Sequence, residues 1–268
     1  MAGLFQVLLG KPDGTFAEPV ELKGTDNQPL VIPADDQEHL VDKICTKPYA
    51  IDWDNDGDLD LVTGNFGGTL YWFVGEGKGT FQPKPNQIMN AAGKPLAIQG
   101  AHSDPFVVDW DGDGDFDLVS GSCEGGVQWS ENTAGKGKLP VLKDFVFLIP
   151  ANKLTEESGG SPPGLPAGPA RATRVCVTDW NMDGKPDLLV GDASDIVRPA
   201  KGLSQEEYQK KLAAWNKEQQ EVMKSMQQGE KDQKAQQAAM EKFQALMEKK
   251  SEFESRDMTG FVWLYLRK

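Results

Sequence analysis

Alternating apolar and polar positions recur along the first two hundred residues. They are clearest in Tyr49-Ala-Ile-Asp-Trp, Leu59-Asp-Leu-Val-Thr-Gly, Phe106-Val-Val-Asp-Trp and Phe116-Asp-Leu-Val-Ser-Gly. A period of two puts every second side chain on one face, so these runs predict short β-strands. Residues 4–22 predict a hairpin around Pro12-Asp-Gly. The same pattern returns at residues 70–83, where Gly75-Glu-Gly-Lys-Gly-Thr-Phe81 turns between a third strand, Leu70-Tyr-Trp-Phe-Val, and a fourth. The period changes after Ser204. Apolar residues at Tyr208, Leu212, Trp215, Val222 and Met226, then Met240, Phe243 and Met247, fall at three-to-four spacing. They predict two helices that fold back at Gln228-Gly-Glu, and Ser204 followed by Glu206 and Glu207 marks the start. Gly260-Phe-Val-Trp-Leu-Tyr-Leu266 alternates again, so the helices are expected as an excursion from the last sheet.

Between the paired strands stand three versions of one nonapeptide, D-W-[DN]-x-D-G-x-x-D, at 52–60, 109–117 and 179–187. Oxygen ligands at alternate positions, with a glycine at the sixth that tolerates positive φ, suit a backbone wrapped around calcium. The side-chain ligands expected are Asp52, Asp54, Asp56 and Asp60, then Asp109, Asp111, Asp113 and Asp117, then Asp179, Asn181, Asp183 and Asp187. Asp58, Asp115 and Lys185 at position 7 would each offer a main-chain carbonyl. Asn181 and Lys185 lower the ligand charge of the third loop, which predicts weaker binding there. An EF-hand is excluded, because its bidentate Glu at position 12 is replaced by Thr63, Ser120 and Val190, and strands rather than helices flank each loop.

The loop, the following V-x-G, the aromatic third strand and the Gly-rich turn together resemble the FG-GAP/VCBS repeat of integrin-type β-propellers, over roughly residues 3–200 and 258–268. The resemblance implies an all-β fold of four-stranded antiparallel propeller blades with one calcium per loop, and implies no catalytic activity. The expected division is blades over 1–203, an inserted α-helical hairpin over 204–256 and a return strand over 257–268. The loops start 57 and 70 residues apart, whereas a blade needs about 40–50, so each interval carries an insertion. The Pro/Gly tract Ser158–Pro169 is expected as a surface excursion. About thirteen strands are expected, fewer than the sixteen or so of a four-bladed ring. Either the chain is the C-terminal part of a longer propeller, or its open edges pair with another chain.

The net charge of −13 gathers at the loops, which hold thirteen aspartates, and three calcium ions would bring it to about −7. Such an acid balance argues against nucleic acid as a partner. Cys45, Cys123 and Cys176 form no metal-binding spacing and read as buried small residues or one optional bridge. No apolar run spans a membrane and no signal peptide is evident. Calcium loops of this kind fit an extracytoplasmic setting, with Met1-Ala-Gly a truncated start. The position-2 tryptophans Trp53, Trp110 and Trp180 are expected to pack between sheets. His39 and His102 lack ligand-spaced partners, and no nucleophile elbow or phosphate loop is present. Two functions follow. One is a non-catalytic scaffold or adhesion module for a protein or cell-surface glycan, with self-association through open edges or the helices. The other is a carbohydrate-binding or polysaccharide-lyase-type module.

Overall fold

The computed structural model describes residues 4–33, 38–151, 166–228 and 233–268. The chain divides into two compact units: Met1–Lys153, Gly168–Ala193 and Gly260–Lys268 form one, Leu154–Ala167 and Ser194–Thr259 the other. Most of the Ser158–Pro169 tract and the fold-back at Gly229-Glu230 lie outside the described residues.

The first unit is built of successive antiparallel sheets. A hairpin of β1 (Gln6–Val7) and β2 (Val20–Glu21) comes first. A first full blade follows, in the order β3 (Lys47–Ile51), β4 (Asp60–Gly64), β5 (Leu70–Phe73), β6 (Asn86–Gln87). The second blade repeats it with β7 (Asp104–Val108), β8 (Asp117–Gly121), β9 (Val127–Ser130) and β10 (Val146–Ile149). In the third, β11 (Arg171–Thr178) pairs with β12 (Asp187–Pro199). β12 pairs in turn over Leu188–Gly191 with β14 (Val262–Tyr265), the expected return strand.

The cores lie between sheets. Trp53, Val62 and Leu70 of the first blade cluster with Val107, Leu118 and Phe145 of the second. Trp110, Val119 and Val127 of the second cluster with Val177, Leu188 and Val190 of the third. Burying a Val or Leu side chain stabilises by about 1.5–3 kcal/mol, more than the ~0.2–1 kcal/mol of a cross-strand pair. Packing between blades therefore outweighs pairing within them.

Each joint between blades follows one plan. Gly64 ends β4 so close to the next blade that a Cβ there would lie 2.2 Å from the Ser103 carbonyl oxygen. Gly121 stands in the same relation to Thr173, also at 2.2 Å. Around these glycines the main-chain N–H of Asn65 donates to Ser103 Oγ and that of Ser122 to Thr173 Oγ1, both at 2.9 Å. The residue before each hydroxyl, His102 or Ala172, has φ of 60° or 51° and donates its N–H back to Phe66 or Cys123. Across the inner strands, the Asp104 carboxylate meets Lys47 at 3.8 Å and Arg174 at 3.2 Å, linking all three blades.

In the second unit, β12 continues through Ser194–Pro199 and pairs with β13 (Glu254–Thr259) as a ribbon. Between these strands run α1 (Gln205–Gln228) and α2 (Gln233–Ser251). Ser204 caps α1 reciprocally: its N–H and hydroxyl donate to Glu207 Oε2 at 3.0 and 2.7 Å, and Glu207 N–H donates back to Ser204 Oγ. The core is Val197, Tyr208, Trp215, Leu246 and Phe253. The seam of α2 differs from the expected one: Met240 and Met247 are exposed, while Leu246 and Lys250 face inward. Trp215 decides this, because its indole N–H donates to the Leu246 carbonyl at 2.7 Å and its ring carries the Lys250 ammonium at 4.4 Å. No helix of the described residues is long and apolar enough to cross a membrane.

Candidate metal centre

Each nonapeptide is the turn between the first two strands of a blade: β3 to β4, β7 to β8 and β11 to β12. The turns are wound by their own carboxylates. Asp52 accepts the N–H groups of Asp56 and Gly57 at 3.0 and 3.1 Å, Asp109 those of Gly112 and Gly114 at 2.8 and 3.0 Å, and Asp179 those of Asp183 and Gly184 at 3.0 and 2.9 Å. At position 5, Asp56, Asp113 and Asp183 accept the N–H of position 7, which is Asp58, Asp115 or Lys185. Left-handed backbone occurs twice per loop. Gly57, Gly114 and Gly184 hold φ of 98°, 94° and 85° at position 6. Position 4 is also left-handed, in Asn55, Gly112 and Met182 at 62°, 85° and 59°, a requirement the motif left unread.

The winding brings acids together. Asp52, Asp54 and Asp56 each offer a carboxylate oxygen, and these lie within 4.8 Å of one another; Asp109, Asp111 and Asp117 do the same. In the third loop Asn181 fills position 3, bonding Asp183 through both ends of its amide, and no group of three acids converges there among the described residues.

Position 9 has a second task in all three loops. Asp60, Asp117 and Asp187 are fully buried. One carboxylate oxygen accepts the N–H of the position-2 tryptophan: Trp53 at 2.8 Å, Trp110 at 3.0 Å, Trp180 at 3.0 Å. The other accepts an N–H just beyond the third strand: Gly75 at 2.6 Å, Asn132 at 2.7 Å, Arg267 at 2.8 Å. This residue clamps three strands whatever else it binds. Asp115 is comparably placed at position 7, its Oδ2 accepting Gly135 N–H at 2.7 Å.

Burial sets the electrostatics of the metal-free loops. Desolvation pushes the carboxyls of Asp54, Asp60 and Asp115 above the usual range, and neighbouring acids add to it. Asp117 is raised to about 6, again by burial first, with the N–H donors of Asn132 and Trp110 opposing. Clustered carboxylates on a prewound turn of oxygen donors suit a hard divalent cation.

The tryptophans divide. Trp53 and Trp110 are buried as expected, and Trp110 carries the Arg267 guanidinium 5.0 Å from its ring centre, with Arg267 Nη1 donating to the Trp110 carbonyl. Trp180 departs from the expectation, at 57% exposed. The side chains that cover the other two belong to the next blade, and no described residue supplies one after the third.

The model of the FG-GAP-like repeat matches residues 52–120 and 109–190. The chain belongs to the FG-GAP-like repeat family. Each match runs from one acidic loop through the next, so the family's unit spans the blade-to-blade joint as well as the loop. Comparisons with curated proteins and with solved structures give no match.

Proposed function

We propose that this FG-GAP-like chain is a calcium-stabilised, non-catalytic interaction scaffold that works outside the cytoplasm and displays its loops and helical unit to a protein or a cell-surface glycan. The observation that carries the reading is the convergence of Asp52, Asp54 and Asp56, and of Asp109, Asp111 and Asp117, on turns their own backbone has already wound. Calcium would be held in the first loop by Asp52, Asp54 and Asp56 with the Asp58 carbonyl and Asp60, and in the second by Asp109, Asp111, Asp113 and Asp117 with the Asp115 carbonyl. Asp179, Asn181, Asp183, Asp187 and the Lys185 carbonyl form a weaker third set. Bound calcium supplies positive charge where the fold has crowded negative charge, and so favours the folded blades by mass action.

Thermal unfolding with calcium and with chelator tests this. A rise in Tm with calcium that magnesium does not reproduce supports the reading, and identical melting in both conditions overturns it. A glycan array and a protein pull-down then separate the partner classes, while release of unsaturated sugars from a polysaccharide would replace the scaffold by a lyase.

A further inference from the structure

The blade joint occurs twice within the chain, and each of its two halves occurs once more: the donor half with no blade against it among the described residues, the acceptor half only partly covered, with Leu61 buried against Phe5, Leu30 and Ile32 while its neighbours stay open. On the donor side, the position-2 tryptophan packs onto the next blade: Trp53 onto Val107 and Leu118, Trp110 onto Val177 and Leu188. The third tryptophan, Trp180, is 57% exposed against 4% and 9% for the other two. Beside it Met182 is 90% exposed. Gly191, where the pairing of β12 with β14 ends as that of β4 with β5 ends at Gly64 and that of β8 with β9 at Gly121, has nothing within 4 Å of an added Cβ.

On the acceptor side, Ala50 and Leu61 hold the places in the first blade that Val107 and Leu118 hold in the second. They line an open cavity of about 890 Å³ together with Val7, Leu9, Val20 and Pro48. Pro48 and Ala50 are exposed, whereas Pro105 and Val107 at the same register are buried under the preceding blade. Cys45, ahead of Thr46, has φ of 54°, matching His102 and Ala172 ahead of Ser103 and Thr173. A left-handed non-glycine residue costs about 1–2 kcal/mol. At His102 and Ala172 that conformation delivers the N–H bond across the joint; at Cys45 no such bond is made to the described residues.

From the bare donor half and the partly covered acceptor half we infer that a second copy of this chain docks head to tail, with Trp180 of one copy entering the cavity beside Pro48 and Ala50 of the other and Thr46 seating against Gly191. The contact repeats the interface already present twice inside each chain. β1 and β14 are the same third strand of the repeat, in Leu4-Phe-Gln-Val-Leu and Phe261-Val-Trp-Leu-Tyr. One of the two therefore takes the place beside β12, a like-for-like exchange of the kind seen in domain swapping. Because different surfaces meet, the contact is heterologous, and each copy keeps one free face unless the assembly closes.

Light scattering on the full chain in calcium tests this, using Trp180→Arg and Ala50→Arg. Both positions are exposed, so circular dichroism should show unchanged folding. Wild type is expected at twice the chain mass or more, and each variant alone at the monomer mass. An equimolar mixture of the two is expected at the dimer mass, because Trp180→Arg keeps the cavity and Ala50→Arg keeps the tryptophan. A wild type that stays monomeric on concentration overturns the inference. So does a mixture that stays monomeric, or self-assembly that survives both substitutions.

Discussion

Within a loop, aspartates of one motif separate into ion-facing and strand-clamping roles. Asp60 holds the N–H groups of Trp53 and Gly75 in buried surroundings and that of Asp54 in part-buried ones, whereas Asp56 is exposed and accepts only from Asp58. Leaving a buried donor unsatisfied costs roughly 1–3 kcal/mol. Asp60→Ala is therefore expected to lose about 3 kcal/mol or more in urea melts run in chelator. Asp56→Ala should stay within about 0.5 kcal/mol of wild type in chelator and lose most of the calcium increment. The raised carboxyls give a pH test as well. Asp54, Asp60, Asp115 and Asp117 bind protons more tightly folded than unfolded, so these four groups take up protons on folding. The stability these four groups contribute is then fully present below the ordinary carboxylate range and is lost as pH rises from about 4 through 6. Chelator melts across that window should show the decline, and calcium should flatten it.

At the scale of elements, what could be read from the residues was local. Acidic turns, the strands beside them, the Ser204 cap and the return strand all declare themselves within about ten residues. The features that escaped reading depend on contacts between distant segments. Nothing local marks Ser103 and Thr173, whose place in the joints is set by Gly64 and Gly121 packed against them. The β12–β13 ribbon joins Ser194–Pro199 to the polar Glu254–Thr259, whose largely exposed residues give no alternating signal. The α2 seam departs from the apolar spacing because a lysine, Lys250, lies on it, sheltered by Trp215. The joint supplies its own control: Gly121→Ala forces a Cβ onto the Thr173 carbonyl and should cost more than about 2 kcal/mol, while Gly191→Ala should be nearly neutral in the monomer. In the helical unit, Trp215→Ala is expected to cost about 3–5 kcal/mol. Hydrogen exchange should find the loss over residues 205–251, with the calcium response of the blades retained.

Over the whole molecule, a charge of −13 sits largely on the turns of three consecutive blades. That repulsion and the apolar joints between blades oppose each other, and a cation shifts the balance toward the joints. A repeat protein whose units meet through one recurring interface carries that interface's two halves wherever the described residues supply no full neighbouring blade, as at Trp180 and the Ala50 cavity. Everything rests on the loops as ion sites. The most direct measurement is calorimetric titration of the chelator-stripped chain with calcium, beside a double variant Asp54→Ala/Asp111→Ala. The wild type is expected to take up at least two ions with a weaker third, and the double variant to lose the two tighter events. A wild type that releases no heat and shows no uptake, or a double variant that titrates as the wild type does, would contradict the account.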